Sequence, residues 1–257
     1  PMSSMPRLFV NSDLVAGDAF ALNEEQSKYL IRVMRLGSGD PVRVFNGRDG
    51  EWRAQISKAD GRRADLVPVA RLRSQQAHGG ARLTLLFAPV KKSETDFIVE
   101  KATELGAARI QPVITERTQT RTVRLDRFAK IALEAAEQTE RLDLPEVSDA
   151  VSLDAALEAL PSGTPVVFCD EAGDEADAPW GGQAGRAAPM ADVLGELSNR
   201  PAAILIGPEG GFSPAERAFL RGRADTYPVS LGPRILRAET AAVSAMTLWQ
   251  ALCGDWS

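Results

Sequence analysis

The chain has 257 residues, 44% of them hydrophobic and 25% charged, which is typical of a soluble globular protein with one large or two modest domains. No apolar run approaches the length of a membrane span, and the opening residues PMSSMPRLFV lack the basic and apolar regions of a signal peptide, so we expect a cytoplasmic protein without a membrane partner. His78 is the only histidine, and Cys169 and Cys253 lack metal-ligand spacing, which argues against histidine-based triads and against a bound metal.

The net charge of −5 is distributed unevenly along the chain. Residues 1–73 contain 12 Lys and Arg against 9 Asp and Glu, a balance of +3, whereas the remainder contains 18 against 26, a balance of −8. A basic small domain hints at a polyanionic partner, but a solvated surface is the more common explanation of so modest an asymmetry.

Residues 1–73 are predicted to form a small, mostly β domain with one helix. Short alternating apolar runs indicate strands, and Asp49 and Gly50 in FNGRDGEW supply the turn of a hairpin. The stretch NEEQSKYLIRVMRL has apolar residues at helical spacing and is followed by Gly37 and Gly39, which are typical stop signals. Residues 74–81, SQQAHGGA, are polar and glycine-rich and are predicted to be a linker.

Residues 82–257 alternate between strand and helix patterns, which predicts an α/β domain with a mostly parallel sheet covered on both faces. The predicted strands are RLTLLFAPV, ARIQPVI, PVVFCD, AAILI and TYPVSLG. The predicted helices are one capped by Ser93 and ended by Gly106, then about 126–141, 153–160 and 190–197, one after Ser213, and 238–252. Residues 171–189, rich in Gly, Ala and Asp, are predicted to be a mobile surface loop.

The stretch ILIGPEGGFSPAE, residues 204–216, predicts a buried strand, a tight glycine-rich loop and a helix start. Ser213 is the expected N-cap, Pro214 the first helical residue and Glu216 the partner that completes a capping box. Such loops often bind phosphate, but Glu209 would repel an anion, so a cationic or mixed-charge ligand or a neutral ring fits better. A plain tight turn with Glu209 in water is the alternative.

A second loop, LGPRILRAETA from Leu231 to Ala241, repeats this organisation of strand end, turn and helix start. Loops that follow neighbouring strands of one parallel sheet converge on one crevice, where ligands bind. The stretch ALEAAEQTERLDLPEV places Glu134, Glu137 and Arg141 within two helical turns, and spacing alone favours surface pairing for them.

In combination, these stretches resemble the RsmE-type methyltransferases of the SPOUT superfamily. The resemblance covers nearly the whole chain, including YLIRVMRLGSGDPVRVFNG and DFIVEKATELGAARIQPVITERT, and LIGPEGGFSPAE followed by LGPRILRAETA is its most specific part. It implies methylation of uridine N3 in bacterial 16S rRNA with S-adenosylmethionine, by a homodimer that acts on the rRNA or on the assembled small ribosomal subunit. It also implies a PUA-like β-barrel joined to an α/β domain with a deep trefoil knot, whereas the residues alone predict a plain doubly wound sheet because knots are rare.

The resemblance places S-adenosylmethionine against the backbone of the two loops. Glycines allow the backbone to approach a flat ring closely, and a carboxylate suits a ligand with a sulfonium and an ammonium but no phosphate. The matching loop positions are Leu205, Ile206, Gly207, Pro208, Glu209, Gly210, Leu231, Gly232, Ile235, Leu236 and Arg237. Phe168 and Cys169, at the end of a neighbouring strand, are expected to form the remaining wall of the site.

Methyl transfer to uridine N3 requires removal of the N3 proton and stabilisation of the resulting anion. The candidate bases are Glu209, Glu239 and Glu137, and the candidate anion-stabilising residues are Arg234, Arg237 and Arg141. RNA binding is expected of basic residues in both domains, namely Arg32, Arg35, Arg43, Arg117, Arg121 and Arg124, with Arg127 and Lys130 close by in sequence.

The chain departs from the family pattern at three places. Glu140 precedes Arg141 where the family motif has Gly, Ala238 replaces the Thr of RILRTET, and the 171–189 insertion is longer than in the family. Two other functions stay open, namely ribose 2′-O-methylation by a member of the same superfamily, and RNA binding without catalysis. The position of the methyl group in digested RNA separates the first from uridine N3 methylation, and failure to bind S-adenosylmethionine would support the second.

Overall fold

The computed structural model describes residues 5–76 and 82–256, and the chain divides into two compact units. The first unit comprises Pro1–Ala77 and Ala136–Leu144, and the second comprises His78–Ala135 and Pro145–Ser257. Residues 136–144, which the sequence pattern grouped with the C-terminal domain, therefore pack with the N-terminal unit. Within the predicted linker, residues 77–81, including His78, lie outside the described residues.

The first unit is built around a five-stranded sheet. Its strands are β1 (Arg7–Phe9), β2 (Phe20–Ala21), β3 (Pro41–Phe45), β4 (Glu51–Asp60) and β5 (Arg63–Arg73). They lie in the order β1-β3-β4-β5-β2, and β3 and β4 are antiparallel neighbours, which confirms the predicted hairpin. The alternating pattern directs Val42, Val44, Ala54 and Ile56 into the core of this unit.

The helix of the first unit is shorter and less regular than predicted. It begins as α1 (Glu24–Lys28), where the Asn23 side chain accepts a 2.8 Å hydrogen bond from Gln26 N, and continues as a π-helical turn over Tyr29–Val33. Arg35 then adopts a left-handed φ of 57°, so the chain leaves the helix before it reaches the predicted glycine stops.

Charged side chains of the first unit form one group, which we call the Glu51 cluster and which consists of Arg7, Arg43, Glu51, Arg73 and Glu140. The Glu51 carboxylate is 2% exposed and accepts hydrogen bonds from Arg7 Nε at 2.6 Å and from Arg73 Nε at 2.7 Å. Arg43 donates two hydrogen bonds of 2.8 Å to the Glu140 carboxylate. Arg7 also donates to main-chain carbonyl oxygens between residues 136 and 141, which holds this segment in the first unit.

Glu140 has a left-handed φ of 64°, a conformation that glycine adopts without steric cost. The glycine expected at this position from the resemblance would adopt this conformation without that cost. In this chain the two hydrogen bonds from Arg43 and a 3.3 Å ion pair with Arg73 offset the backbone cost of a non-glycine residue.

The second unit contains a parallel sheet, as predicted. Its strands are β6 (Leu83–Phe87), β7 (Arg109–Ile114), β8 (Glu146–Val147), β9 (Val151–Ser152), β10 (Val166–Cys169), β11 (Ala202–Ile206) and β12 (Thr226–Val229). The order along the sheet is β12-β10-β11-β6-β7-β8, with β9 also paired to β7, and the described pairings between these strands are parallel.

Helices cover both faces of this sheet. They are α2 (Lys92–Glu104), α3 (Leu125–Gln138), α4 (Leu153–Glu158), α5 (Met190–Leu194), α6 (Pro214–Arg221) and α7 (Ala238–Leu252). Leu85 and Ile204 pack into one apolar cluster with residues of α2 and α7, whereas Leu86 and Leu205 pack into another with residues of α4 and α6. Among the described residues, none of the helices is long and apolar enough to span a membrane.

The helix boundaries confirm some sequence signals and correct others. The last helix has the predicted bounds, and the capping box of α6 is present, with Glu216 N donating to Ser213 Oγ at 3.2 Å and Ser213 N to Glu216 Oε1 at 2.9 Å. The predicted cap at Ser93 is wrong, because α2 begins at Lys92 and its N-cap residue is Lys91, two residues before Ser93. The Thr95 hydroxyl instead accepts a 3.0 Å hydrogen bond from Val90 N, which fixes the chain as it enters the helix.

Candidate functional site

Three loops that follow the carboxyl ends of β10, β11 and β12 surround a cleft of about 1180 Å³ in the second unit. β10 pairs with both other strands in parallel, so the three strands end on the same edge of the sheet. The crevice beyond that edge is where open parallel sheets bind ligands. The sequence prediction that the first and second glycine-containing loops converge is confirmed, and a third loop joins them.

The loop after β11 places its backbone and one carboxylate on the cleft. A Cβ atom added at Gly207 would lie 2.8 Å from Cε2 of Phe212, so only glycine allows this ring to pack under the turn. Gly211 has a φ of 69°, which returns the chain towards the Ser213 cap of α6. Glu209 is exposed between them, and this loop therefore presents a carboxylate on a turn with little side-chain bulk.

The loop after β12 brings a second set of charged groups to the cleft. Gly232 turns the chain at a φ of 107°, with the Ser230 hydroxyl 3.2 Å from its backbone N. Arg237 is the exposed N-cap residue of α7, and Glu239 lies in the first turn of that helix. A carboxylate at this position is favoured by the helix dipole and faces the same space as Glu209.

The third loop, residues 170–189, contains the 171–189 stretch that was predicted to be a mobile surface loop. Part of it lines the cleft, and hydrogen bonds hold it to α6. Asp170 is 2% exposed and pairs with Arg217 at 2.9 Å and Arg221 at 2.8 Å, both on α6. Arg217 also donates to the carbonyl oxygens of Ala172 and Gly173, at 2.9 and 3.0 Å. Arg217 and Arg221 of α6 thus hold in place a loop that its composition alone predicts to be mobile.

Glu171 is a half-buried carboxylate on the cleft whose oxygens accept no hydrogen bond of good geometry from the described residues. Burial raises the pKa of its carboxyl, which the nearby Leu231 N–H and Arg186 lower in part. A buried acceptor without a partner is costly unless a ligand supplies the donor. Glu171 is therefore an acceptor suited to the hydroxyl or ammonium groups of a bound molecule.

The cleft unites most, though not all, of the residues expected to touch a cofactor. Its lining includes Ile206, Gly207, Pro208, Glu209, Gly210, Ile235, Leu236, Arg237 and Glu239, together with Cys169. Phe168 and Leu205 are fully buried with their side chains in the core behind it, so their contribution is limited to the backbone. Leu231 and Gly232 are outside the lining, as is Arg234, which is exposed.

The predicted RNA-binding arginines divide by their surroundings. Arg117 lies on the cleft and donates a 3.0 Å hydrogen bond to the Gly210 carbonyl, whereas Arg121 donates to the Thr118 carbonyl at 3.3 Å. Arg124 pairs with Asp126 in a 2.7 Å ion pair. In the first unit Arg32 and Arg35 are exposed, while the Arg43 side chain is only 12% exposed and bound to Glu140.

Two of the catalytic candidates belong to the first unit. The Glu137 carboxylate accepts a 3.0 Å hydrogen bond from Phe9 N, and Arg141 donates to Asp143 at 3.0 Å. Both contacts are structural in character.

Sequence reasoning missed several residues of the cleft, including Lys91, Glu94, Asp170, Glu171, Trp180 and Arg217. One signal was available for two of them, because Asp170 ends the predicted strand PVVFCD and Glu171 directly follows it, at the edge where ligands bind. Trp180 carried no such signal, since it lies within an irregular insertion. No group of metal-ligating side chains occurs in residues 5–76 and 82–256.

Comparison with known proteins gives a consistent result over the whole chain. Residues 78–250 match the family model described as RNA methyltransferase domain, and residues 22–69 match that of the RNA methyltransferase PUA domain. The ribosomal RNA small subunit methyltransferase E of Rickettsia conorii is 32% identical, with 93% of each chain covered, and that of Synechocystis is 34% identical over 96% of this chain and 77% of its own.

Solved structures of methyltransferases are also similar to this chain over nearly its whole length. The crystal structure of ribosomal RNA small subunit methyltransferase E from Neisseria gonorrhoeae bound to S-adenosylmethionine is 28% identical, with a TM-score of 0.82 over 98% of this chain and 100% of the other. A second structure, from Legionella pneumophila and also with bound S-adenosylmethionine, is 26% identical with a TM-score of 0.83 over 98% and 99% of the two chains.

Proposed function

The chain belongs to the family of RNA methyltransferases that carry a PUA domain, and from this premise we propose that it transfers the methyl group of S-adenosylmethionine to N3 of a uridine in 16S rRNA. The observation that carries the proposal is the cleft at the strand ends, where glycine-rich backbone and carboxylates meet without a phosphate-binding loop. Relatives named small subunit methyltransferase E, one of them solved with S-adenosylmethionine, support the same reaction.

The residues of the cleft fit this cofactor. The Glu171 carboxylate, although near the Leu231 N–H, accepts no hydrogen bond of good geometry from the described residues and would accept from the cofactor's hydroxyl or ammonium groups. Gly207 and Gly210 leave room for backbone contact with the adenine ring, and Ile206 and Leu236 offer apolar surface beside it. Backbone groups of the matching positions Phe168, Leu205, Leu231 and Gly232 complete the proposed site.

The cofactor supplies an electrophilic methyl group, and the protein must prepare the nitrogen that accepts it. We assign removal of the N3 proton to Glu209 or Glu239, whose carboxylates share the cleft and form no salt bridge within the described residues. As the proton leaves, the nitrogen lone pair forms the new N–C bond while the S–C bond breaks, giving 3-methyluridine and S-adenosylhomocysteine. A positioned base of this kind contributes roughly 10²–10⁴-fold to the rate.

Negative charge on the deprotonated uracil is spread over its two oxygens, and a guanidinium beside them would lower the barrier. Arg237 is the candidate on the cleft, because it is exposed at the start of α7 next to Glu239. Glu137, Arg141 and Arg234 remain candidates from the motif resemblance, but the contacts of Glu137 and Arg141 described above favour a structural role for these two.

RNA is proposed to bind through arginines of both units. Arg117, which lies on the cleft, and the exposed Arg32 and Arg35 are the foremost contacts. Arg124 and Arg43 follow because each is already ion-paired, and Arg121 follows because it does not line the cleft. Phosphate contacts release counterions, so affinity for RNA should fall steeply with salt. An affinity independent of salt would contradict this part of the proposal.

Three further features belong to the proposal through the family alone. They are a homodimer, a deep trefoil knot in the C-terminal part of the second unit, and a cytoplasmic location, where small ribosomal subunits are assembled. The β12-β10-β11 order is compatible with the knot, since the chain crosses from β11 past β10 before it reaches α7.

The test is nucleoside mass spectrometry of small-subunit RNA after incubation of the protein with isotopically labelled S-adenosylmethionine. Free rRNA and assembled subunits, both from cells that lack the modification, are compared, with subunits that already carry it as the control. Labelled 3-methyluridine in either substrate supports the proposal, and label on a ribose transfers the protein to the 2′-O class. Absence of label from both substrates, despite cofactor binding, would leave an RNA-binding protein without this activity.

A further inference from the structure

We propose that Trp180 is the platform on which the target base stacks when it enters the cleft. The inference rests on the proposed function and adds a substrate-binding residue that neither the glycine loops nor the family motifs contain. It follows from the position of this side chain, its backbone conformation, the size of the cleft and the contacts that hold the third loop.

Trp180 is held in an uncommon backbone conformation on the rim of the cleft. It lies in the short 3₁₀ turn Pro179–Gly181 with φ 54° and ψ 29°, a left-handed conformation that costs a bulky residue about 1–3 kcal/mol. The Trp180 carbonyl accepts a 2.9 Å hydrogen bond from Gly173 N, which helps to fix the turn. The side chain is nevertheless 41% exposed, so this strained conformation presents a large aromatic ring instead of burying it.

The indole ring lies against the same turn that presents Glu209. A Cβ atom at Gly211 would come within 3.1 Å of Cζ3 of Trp180, so this glycine leaves space for the ring. The adjacent Gly210 is contacted by Arg117, which donates its 3.0 Å hydrogen bond to the Gly210 carbonyl. The Trp180 ring and the Arg117 guanidinium thus lie against residues 210–211, directly after Glu209 and its carboxylate.

These three groups match what a displaced uridine needs. RNA-modifying proteins that act on an unstacked base hold it by stacking on an aromatic side chain and by polar contacts to its edge. The ring of Trp180 offers the stacking surface, Glu209 on the same turn is a proposed acceptor of the N3 proton, and Arg117 is available to a flanking phosphate or a uracil oxygen.

The exposed position of Trp180 favours a base over the adenine of the cofactor as its partner. Pockets for one small molecule measure about 300–1,000 Å³, and this cleft of about 1180 Å³ leaves room for a second ligand. Its interior is walled by the buried Ile206, Pro208 and Ala241, where a flat cofactor ring fits, whereas Trp180 lies at the exposed rim, where a polymer enters.

Ion pairs and hydrogen bonds hold the third loop, which carries Trp180, in place. The buried Asp170 pairs with Arg217 and Arg221, and these arginines donate to main-chain carbonyls of Gly173 and Gly185 on either side of Trp180. A side chain held in place before the substrate arrives loses little conformational freedom on binding. The contacts of the insertion thus position the Trp180 ring before the substrate binds.

The test compares three variants of the full-length protein, W180F, W180L and W180A, with W256A as the matched control, because Trp256 is 55% exposed and lies outside the cleft. Methyl transfer to small subunits gives kcat and KM, calorimetry gives the Kd for S-adenosylmethionine, and thermal unfolding reports folding. We expect W180A and W180L to lose about tenfold or more in kcat/KM, since stacking on one base is worth roughly that factor or more. W180F and W256A should stay within about threefold of wild type, and all four should bind the cofactor within about twofold.

Three results would overturn the inference. They are unchanged kcat/KM in W180A and W180L, an equal loss in W180F and W180L, and a loss of cofactor affinity that accounts for the loss of turnover. If W180A does not fold, W180L keeps apolar bulk and still removes the aromatic ring. If wild-type protein transfers no methyl group, the proposed function fails, and ultraviolet crosslinking to the same rRNA decides on its own whether Trp180 is in the peptide that contacts RNA.

Discussion

The Glu51 cluster of the first unit and the cleft of the second unit both contain arginines and carboxylates, but they use them differently. In the cluster each carboxylate is bound by two or more arginines, and Glu51 is almost completely buried. On the cleft, Glu209, Glu239 and Glu171 form no salt bridge within the residues that the structure describes. The difference shows that a charged residue in the sequence can be either structural or functional. The ion pairs that it forms in the folded protein distinguish the two roles.

This contrast explains why an arginine-based prediction of RNA binding needs the structure. Arg43 and Arg117 have equal standing in the sequence, yet Arg43 is 12% exposed and ion-paired with Glu51 and Glu140, while Arg117 has no salt bridge within the described residues and donates a hydrogen bond to a main-chain carbonyl at the cleft. Groups that are already neutralised stabilise the fold, and groups left without a counter-ion are available to a ligand.

The largest expected effect is loss of turnover without loss of stability when a cleft carboxylate is removed. Glu209→Ala or Glu239→Ala should lower kcat by about 10²–10⁴-fold for whichever residue takes the N3 proton, while the thermal unfolding midpoint stays near that of wild type. Single-turnover methyl transfer and thermal unfolding are measured on the same samples. Normal turnover in both variants would show that neither carboxylate is the base.

The opposite outcome is expected in the Glu51 cluster. Glu51→Ala leaves Arg7 and Arg73 without their buried partner, and the free energy of unfolding should fall by about 3–5 kcal/mol. Asp13→Ala is the matched control, because the Arg48–Asp13 ion pair is exposed and such pairs contribute at most about 1 kcal/mol. Equal effects in the two variants, measured by urea unfolding, would mean that the cluster is not a stabilising centre.

A smaller effect distinguishes backbone strain from ion pairing at Glu140. Glu140→Gly removes the ion pairs with Arg43 and Arg73 but relieves the left-handed backbone, whereas Glu140→Ala removes the same pairs and keeps the strain. The alanine variant should therefore be less stable than the glycine variant by about 1 kcal/mol. If alanine is as stable as glycine in urea unfolding, the left-handed conformation imposes no cost at this position.

The smallest effect is a pH-dependent gain in stability from Glu171→Gln. Burial raises the pKa of this carboxyl above its ordinary value of 4.5, so its charged form disfavours the folded state once the pH rises through the folded-state pKa. The variant should be more stable than wild type at neutral pH, by roughly 1 kcal/mol, and the difference should vanish below the ordinary pKa. Unfolding experiments at several pH values test this, and lower stability of the variant at neutral pH would contradict it.

Much of the fold could be predicted because local signals agreed with the tertiary structure. The capping box at Ser213, the bounds of α7 and the parallel sheet all follow from short-range patterns that the fold retains. The assignment of residues 136–144 failed for a physical reason, since the contacts that hold this segment come from Arg7, more than a hundred residues earlier in the chain.

In the candidate site, too, some features follow from local sequence patterns and others depend on contacts between residues distant in sequence. The two glycine-containing loops were predictable because each joins a buried strand to a helix start at the edge of the sheet where ligands bind. Trp180 was not, because its position depends on the ion pairs of Asp170 with Arg217 and Arg221, which link segments more than forty residues apart. For Phe168 and Leu205 the structure adds that both side chains are buried in the core, which leaves only their backbone groups for the predicted cofactor contact.

The most direct test of the account is amide hydrogen exchange of the protein with and without saturating S-adenosylmethionine. If the cleft holds the cofactor and the Glu51 cluster is only structural, exchange should slow in residues 205–211 and 231–237 and stay unchanged in β3 and β4. Unchanged exchange in both loops, or protection confined to the first unit, would contradict the assignment of the cleft as the cofactor site.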